Sequence, residues 1–423
     1  MKKIVGIIAA AALATSAFAE VNVGSWNRAV FEPIHYDGDT LRTFNGPSWG
    51  VKDQGGSRTG LSFSASTENA GVAIDIHANP DLGTGDNAYV WVKPVDMLTV
   101  KFGKIDNANG RLDHCFGAWD ASRFSIIQGE GLAGVDRSWR GGQAANFVLE
   151  PVEGLIIDYQ ANFNASVDGT RVSDSHAYDI LWESSSTMIG YKADFGFIRA
   201  IINGKQATLY KATDTDTKPA ALIALAADIT AVENLTLKFG VSVPTDLTHF
   251  EYKAGKAATT KYVLDEYINN GVKTKTEDVA ATKASFSGNA IKAAVAADYN
   301  LDAFALHGDV SVDVMPNKVE SGEAKLGAFG LKIGAGVDYA FNDAWKLISD
   351  FRFQSWSAVV PETNGDIKYE DPAFGGYLGL RQQLTNASFE FGAMFGTRAL
   401  NNTATGKEDN FTFAVPLTIT ASF

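Results

Sequence analysis

Residues 129–134 read Gly-Glu-Gly-Leu-Ala-Gly, the G-x-G-x-x-G pattern of a dinucleotide-binding turn. That chemistry needs a helix to follow at once, so that its N-terminus meets the pyrophosphate, and the continuation VDRSWRGG supplies none. The six histidines, His35, His77, His114, His176, His249 and His307, include no pair at helical metal-ligand spacing. Neither a metal nor another cofactor is therefore expected. Cys115 is the single cysteine, which rules out an intramolecular disulfide. With Phe116 beside it and no local base, it reads as a structural thiol rather than a nucleophile. A Ser, His and acid group assembled from separate strands would leave no local motif, but each histidine also has an ordinary place on a wall or loop. The expectation is that the protein is not an enzyme.

What the chain does carry is opposed charge. The segment 106–141 holds Asp106, Asp113, Asp120, Glu130 and Asp136 against Arg111, Arg123, Arg137 and Arg140. Carboxylates facing guanidinium groups across a narrow aperture would create a transverse field that orients dipolar solutes. An exposed loop of mixed charge is the alternative. Other ionic and polar groups fall at every second position of apolar runs: Asp75, His77, Lys101, Asp158, Gln160, Lys192, Arg199, Lys238, His307, Asp309, Asp313, Lys332, Asp338, Asp350, Arg352, Gln354, Arg381 and Glu390.

That spacing dictates the element that carries them. Successive side chains of a strand point to opposite faces, so alternation makes one apolar and one polar face. The end of the chain shows it most clearly. Phe411, Phe413, Val415, Leu417, Ile419, Ala421 and Phe423 alternate with Thr412, Thr418, Thr420 and Ser422. In 142–165, Leu155, Ile157, Tyr159, Ala161 and Phe163 share one face, and Asp158, Gln160, Asn162 and Asn164 the other. Paired runs pivot at Pro94-Val95-Asp96, Val232-Glu233-Asn234, Leu301-Asp302, Asn342-Asp343 and Leu384-Thr385-Asn386, which are hairpin turns. Between the pairs lie long polar segments at 32–57, 106–141, 166–176, 205–218, 244–284, 315–325, 358–371 and 398–409. Within 244–284, Tyr262, Asp265, Glu266 and Tyr267 suit a short helix ended by Gly271.

Strands are expected at 21–31, 58–67, 70–79, 87–93, 97–105, 142–150, 154–165, 186–194 and 196–204. The second half continues with 219–229, 233–243, 285–299, 303–314, 326–341, 344–357, 372–382, 386–397 and 410–423. The count is eighteen, with sixteen as the alternative because the 186–204 pair and the first strand alternate weakly. So many ionic groups on one face exclude a packed interior and call for a wet one, since burying each charge unpaired costs several kcal/mol. Short turns at one end and long loops at the other are the pattern of a closed antiparallel transmembrane β-barrel.

Lys2 and Lys3, the apolar run Ile4 to Leu13 and Ala17-Phe18-Ala19 form a secretory signal peptide, so residues 1–19 are expected to be removed and Glu20 to begin the mature chain. Residues 20–423 show no linker and read as one domain. A net charge of −13 without a basic stripe argues against nucleic acid as a partner.

The terminal stretch, with Phe423 last and aromatics Phe411 and Phe413 at alternate upstream sites, resembles the C-terminal assembly signal of Gram-negative outer-membrane proteins. Within that class the whole chain is similar to porins. The resemblance implies short turns on the periplasmic side, long extracellular loops, and a lipid bilayer, the outer-membrane assembly machinery and further copies in a homotrimer as partners. It also implies that the loop after the fifth strand, about 106–141, folds inward as a constriction. Candidate residues there are Asp113, Asp120, Glu130, Arg111 and Arg123, facing Lys101, Arg199, Arg352 and Arg381 on the wall.

Three functions stay open on sequence: a diffusion pore for small hydrophilic solutes and ions, a substrate-selective channel, and an adhesin or receptor anchored by its barrel. A selective channel for sugars would use Tyr89, Trp91, Trp119, Phe124 and Trp139 as a stacking track, although aromatics also form interfacial girdles. If Phe423 belongs to the assembly signal, Phe423→Asp should lower the amount of folded, heat-modifiable protein in the outer membrane, as read on unboiled gels. Normal assembly of that variant would remove the signal from this reading.

Overall fold

The computed structural model describes residues 20–36, 40–45, 57–78, 82–106, 142–162, 182, 184–208, 217–245, 250–253, 259–264, 274–279, 285–288, 290–314, 319–321, 324–326, 329–355, 360–361, 367–368, 373–397 and 411–423. The alternating runs become eighteen antiparallel strands. They are β1 Glu20–Tyr36, β2 Ser57–Ser66, β3 Ala70–Ala78, β4 Leu82–Val95, β5 Leu98–Ile105 and β6 Gly142–Val152. Next come β7 Leu155–Asn162, β8 Ser185–Ala193, β9 Gly196–Thr208, β10 Thr217–Val232, β11 Leu235–Pro244 and β12 Ile291–Leu301. The ring ends with β13 Phe304–Val314, β14 Phe329–Ala340, β15 Trp345–Gln354, β16 Ala373–Gln383, β17 Ala387–Gly396 and β18 Thr412–Ser422.

Each strand pairs with the next in sequence, and β18 pairs with β1 from Trp26↔Ser422 to Tyr36↔Phe413. Closure reaches the last residue: Ser25 N donates to Phe423 O and Phe423 N donates to Ser25 O, both at 2.8 Å. The sheet holds a nineteenth segment, Leu41–Asn45, without a nineteenth column. It pairs with Phe31–Tyr36 of β1, while β2 pairs with Glu20–Ala29 of the same strand, so the two share one column.

Tight turns join the strands at one end. Asp96-Met97, Glu153-Gly154, Asp194-Phe195, Glu233-Asn234 and Asp302-Ala303 are two-residue connections. Asn234 (φ 61°), Asp302 (φ 48°) and Gly154 (φ 78°) take the left-handed conformation that these residue types tolerate best.

All eighteen expected strands are present, including the 186–204 pair and the first. Several local bounds change, β4 starting at Leu82 rather than 87 and β9 running to Thr208 rather than 204 among them. β1 runs on to Tyr36, into the segment expected as loop. Thr259–Leu264 is a strand paired with Thr274–Val279 rather than the start of a helix, in keeping with the β-branched Thr259, Thr260 and Val263; Asp265, Glu266, Tyr267 and Gly271 lie outside the described residues. Ser285–Gly288 pairs with Phe250–Lys253, so the barrel strand expected from 285 begins at Ile291. The proposed signal peptide, 1–19, and residues 107–141 lie outside the described residues.

The outer face is apolar around the ring. Phe102, Ile189, Ile198, Ile223, Leu225, Phe239, Val295, Val310, Val337, Phe351, Leu378, Phe391 and Ile419 are all exposed, each on the side opposite the charges. In water such a continuous belt would be a liability; in hydrocarbon it is required, and the closed ladder pairs every strand with two neighbours. Val310 sits mid-strand on this face, paired with Ile333. Val310→Arg should lower the unfolding free energy in lipid by about 2–4 kcal/mol if the site lies near the bilayer midplane. Urea titration of folding into lipid vesicles measures this, and an unchanged midpoint would contradict the lipid-facing assignment.

Candidate functional site

Register places the polar residues singled out by alternation on the inner face wherever their side chains are described; Asn164 and the Gln354 side chain lie outside the described residues. One row runs Phe197↔Asp228↔Lys238↔Ala296↔Asp309↔Gly334↔Arg352 across seven strands. The row beside it includes Asp298↔His307↔Gly336↔Asp350↔Tyr377↔Met394. The wall is thus a lattice in which an acid and a base regularly become cross-strand neighbours.

Those neighbours join. Arg199 donates to Asp228 and stacks over Phe197, its Cζ 4.5 Å from the ring centroid. Asn146 Nδ2 donates to Asp158 Oδ1 at 2.5 Å, and Ser186 hydrogen-bonds Asn203. Arg352 pairs with Asp350 at 2.8 Å. His307 bridges two acids, with Nδ1 2.7 Å from Asp298 and Nε2 3.7 Å from Asp338. Arg381 Nε and the Tyr377 hydroxyl donate to the two oxygens of Glu390, at 2.5 and 2.6 Å. Glu32 and His35 form a further buried pair at 2.5 Å.

Missing side chains make room for this. A Cβ at Gly334 would overlap both Asp309 Oδ1 and Arg352 Nη1, so only glycine lets the two groups lie against the wall between their strands. Interior charges therefore do not simply project into water, as the expectation of a wet interior supposed. Arg352 is 1% exposed and Glu390 2%.

Of the wall bases named from sequence, Arg199, Arg352 and Arg381 each hold a wall carboxylate. Lys101 differs: its Nζ lies 5.6 Å from the Tyr89 ring centroid. Asp113, Asp120, Glu130, Arg111 and Arg123 lie outside the described residues, as do Trp119, Phe124, Trp139 and Cys115. Phe411 and Phe423 are exposed.

Two features escaped the sequence reading. Arg28 and Arg58 stand directly opposite each other on β1 and β2. Arg28 was hidden because the face Trp26, Arg28, Val30 and Glu32 mixes ring, base, aliphatic and acid. Arg58 shares a 2.8 Å hydrogen bond with His77 Nδ1 and lies over Trp26, 5.3 Å from its centroid. The second feature is a pair of apolar clusters on the inner face. One contains Met188, Ile201, Ala224, Ala226 and Ala296, and the other Ile348, Tyr377, Met394 and Ala414. An apolar residue among inward positions breaks no alternation of the outer face, so only spatial register reveals it.

Eighteen strands closed in a ring, apolar without and charged within, now define the architecture. The fold is a closed eighteen-strand antiparallel β-barrel. No protein-family model matches the chain, and no curated protein matches it. Solved structures do resemble the barrel at low identity. OmpF of Salmonella typhi, in complex with daunomycin, has a TM-score of 0.49 at 12% identity, over 95% of this chain and 97% of that one. In-vitro folded OmpT of Vibrio cholerae has 0.46 at 12%, over 96% and 98%. An anion-selective porin from Comamonas acidovorans has 0.46 at 9%, over 96% and 100%.

Removing one member of a buried ionic network leaves the others uncompensated. Arg352→Met should therefore destabilise the barrel by about 3–5 kcal/mol in chemical unfolding. Asp350→Asn together with Arg352→Met should recover part of the loss. A single variant as stable as the parent would show that the network is not structural.

Proposed function

We propose that the protein is a channel in the outer membrane of a diderm bacterium, through which small hydrophilic solutes and ions diffuse passively. The observation that carries this reading is the charged and polar inner face of a closed eighteen-strand ring. A ring of this size encloses more space than side chains fill, and a lattice of ions on its inside suits hydrated solutes. The chain is read as a conduit, with no catalytic role.

β1 begins at Glu20, the residue after the proposed signal-peptide cleavage at Ala19. The short-turn end, where both termini of the mature chain lie, faces the periplasm in this reading. Assembly into a homotrimer is supported by a break in the apolar exterior. Ser25 and Asn27 on β1 and Thr59 on β2 face outward, with Asn27 and Thr59 directly opposed. Polar side chains cost free energy against hydrocarbon, and contact with further copies would cover them.

The 106–141 loop follows β5 and is the proposed constriction. Arg28 and Arg58, like charges directly opposite, repel one another, and loop carboxylates brought to them or to Lys101 would offset that repulsion. Purified protein in planar bilayers should produce stepwise current increments; a membrane that stays silent at every voltage would overturn the channel reading. Neutralising Asp113, Asp120 and Glu130 together should shift the reversal potential in a salt gradient toward anion preference. Neutralising three acids of the 244–284 loop should shift it far less, since charges more than ~8 Å from the aperture are screened at physiological salt. Equal shifts would place the constriction elsewhere.

A further inference from the structure

On the inner wall Arg199, His307, Arg352 and Arg381 are each paired with an acid, whereas β4 and β5 carry bases that form no ion pair among the described residues. On β4 and β5 the inward side chains Tyr89, Trp91, Lys93 and Lys101 form a compact group: 89, 91 and 93 share one face of β4, and Trp91 is the direct register partner of Lys101. Lys101 Nζ lies 5.6 Å from the Tyr89 centroid, and Lys93 Nζ 6.0 Å from that of Trp91. Among the described residues neither lysine forms an ion pair. Asp75, the acid on the inner face of neighbouring β3, is engaged by neutral donors, the Asn87 amide nitrogens at 3.1 and 2.9 Å.

The rings are seated rather than loose. A Cβ at Gly71 would overlap the Trp91 indole, and one at Gly60 would overlap that of Trp26. Both tryptophans thus lie against the wall over a glycine of the next strand. Trp26 repeats the motif higher on the same arc, with Arg58 over its ring and His77 edge-on at 5.2 Å. Trp26, Arg58, His77, Tyr89, Trp91 and Lys101 are all half-buried, as are Asp228, Lys238 and His307 elsewhere on the wall, whereas Asn146, Met188, Ile201 and Arg352 are buried.

We propose that the inner wall of β4 and β5 is a binding station for planar organic anions, with aromatic carboxylates as the fitting class. The solute ring lies on Tyr89 and Trp91, and its carboxylate accepts hydrogen bonds from Lys93 and Lys101. The ammonium groups lie over the two rings at 5.6 and 6.0 Å from the centroids, near the ~6 Å limit of cation–π contact, so a stacking solute displaces them toward its own carboxylate. A neutral sugar would also stack on an aromatic face, but it has no use for two ammonium groups that form no direct ion pair among the described residues, Asp158 and Glu150 acting on Lys101 only from farther off. This inference rests on the channel reading above.

The test uses purified full-length mature protein in planar bilayers, with benzoate, cyclohexanecarboxylate or benzamide added to one side. Benzoate should interrupt or reduce the ion current at concentrations roughly five-fold lower than either analogue, the share expected of one aromatic stacking contact. Cyclohexanecarboxylate keeps the charge without the plane, and benzamide the plane without the charge. Lys93→Gln with Lys101→Gln should abolish the preference for benzoate over benzamide. Tyr89→Leu with Trp91→Leu should abolish that over cyclohexanecarboxylate. Unboiled-gel mobility confirms that each variant is folded. Conductance with equal sensitivity of the parent protein to all three solutes would overturn the station and leave the channel standing; absence of conductance would overturn both.

Discussion

Everything in this structure depends on the refusal of hydrocarbon to solvate a peptide group. A backbone donor or acceptor left unpaired in a bilayer costs several kcal/mol, and a sheet edge would leave a whole row of them. The reciprocal bonds between Ser25 and Phe423 remove the last of that edge. They also make the first and last strands the most distant pair in sequence, Trp26 against Ser422. Loop-closure entropy grows only slowly with length, so joining the ends costs far less than leaving the two edge strands exposed.

Closure sorts the side chains. Once the ring exists, parity alone decides which residues meet lipid and which meet the interior, and a one-residue slip would exchange them. The apolar parity is uniform because lipid demands nothing specific. The inner parity is organised, with acid beside base along rows such as Asp228, Lys238, Asp309 and Arg352. Glu390 is held across strands by Arg381 and Tyr377, and Arg352 by Asp350 two residues before it, and both are nearly inaccessible. The β4–β5 arc combines two aromatic rings with lysines that form no ion pair among the described residues, which gives that part of the wall its own chemistry.

Parity is also why so much was legible in the sequence. A period of two needs only a few residues to declare itself, so the eighteen strands and the inner placement of Asp158, Arg199, Asp309 and Glu390 follow from spacing. Local alternation says nothing of partners. That Arg381 meets Glu390, or that Arg28 faces Arg58, depends on register between strands, which the turns fix and no single run displays. The segments at the long-loop end lack a period altogether. There composition suggests a helix at Tyr262, although the threonines and valine around it favour the strand that forms.

The glycines beneath the inner rings have an evolutionary consequence. Trp26 occupies the space over Gly60, Trp91 that over Gly71, and the Tyr377 ring that over Gly379 and Gly392. Each ring is held flush only because its neighbour has no side chain, so a single methyl at any of these glycines would push an aromatic group toward the lumen. In a channel, the bore could therefore be retuned by one-codon changes that leave the lipid surface untouched, Gly60 being the simplest case because only the Trp26 ring stands in the way. A lineage facing a new mixture of nutrients and toxins could adjust the bore in small, reversible steps without rebuilding the wall.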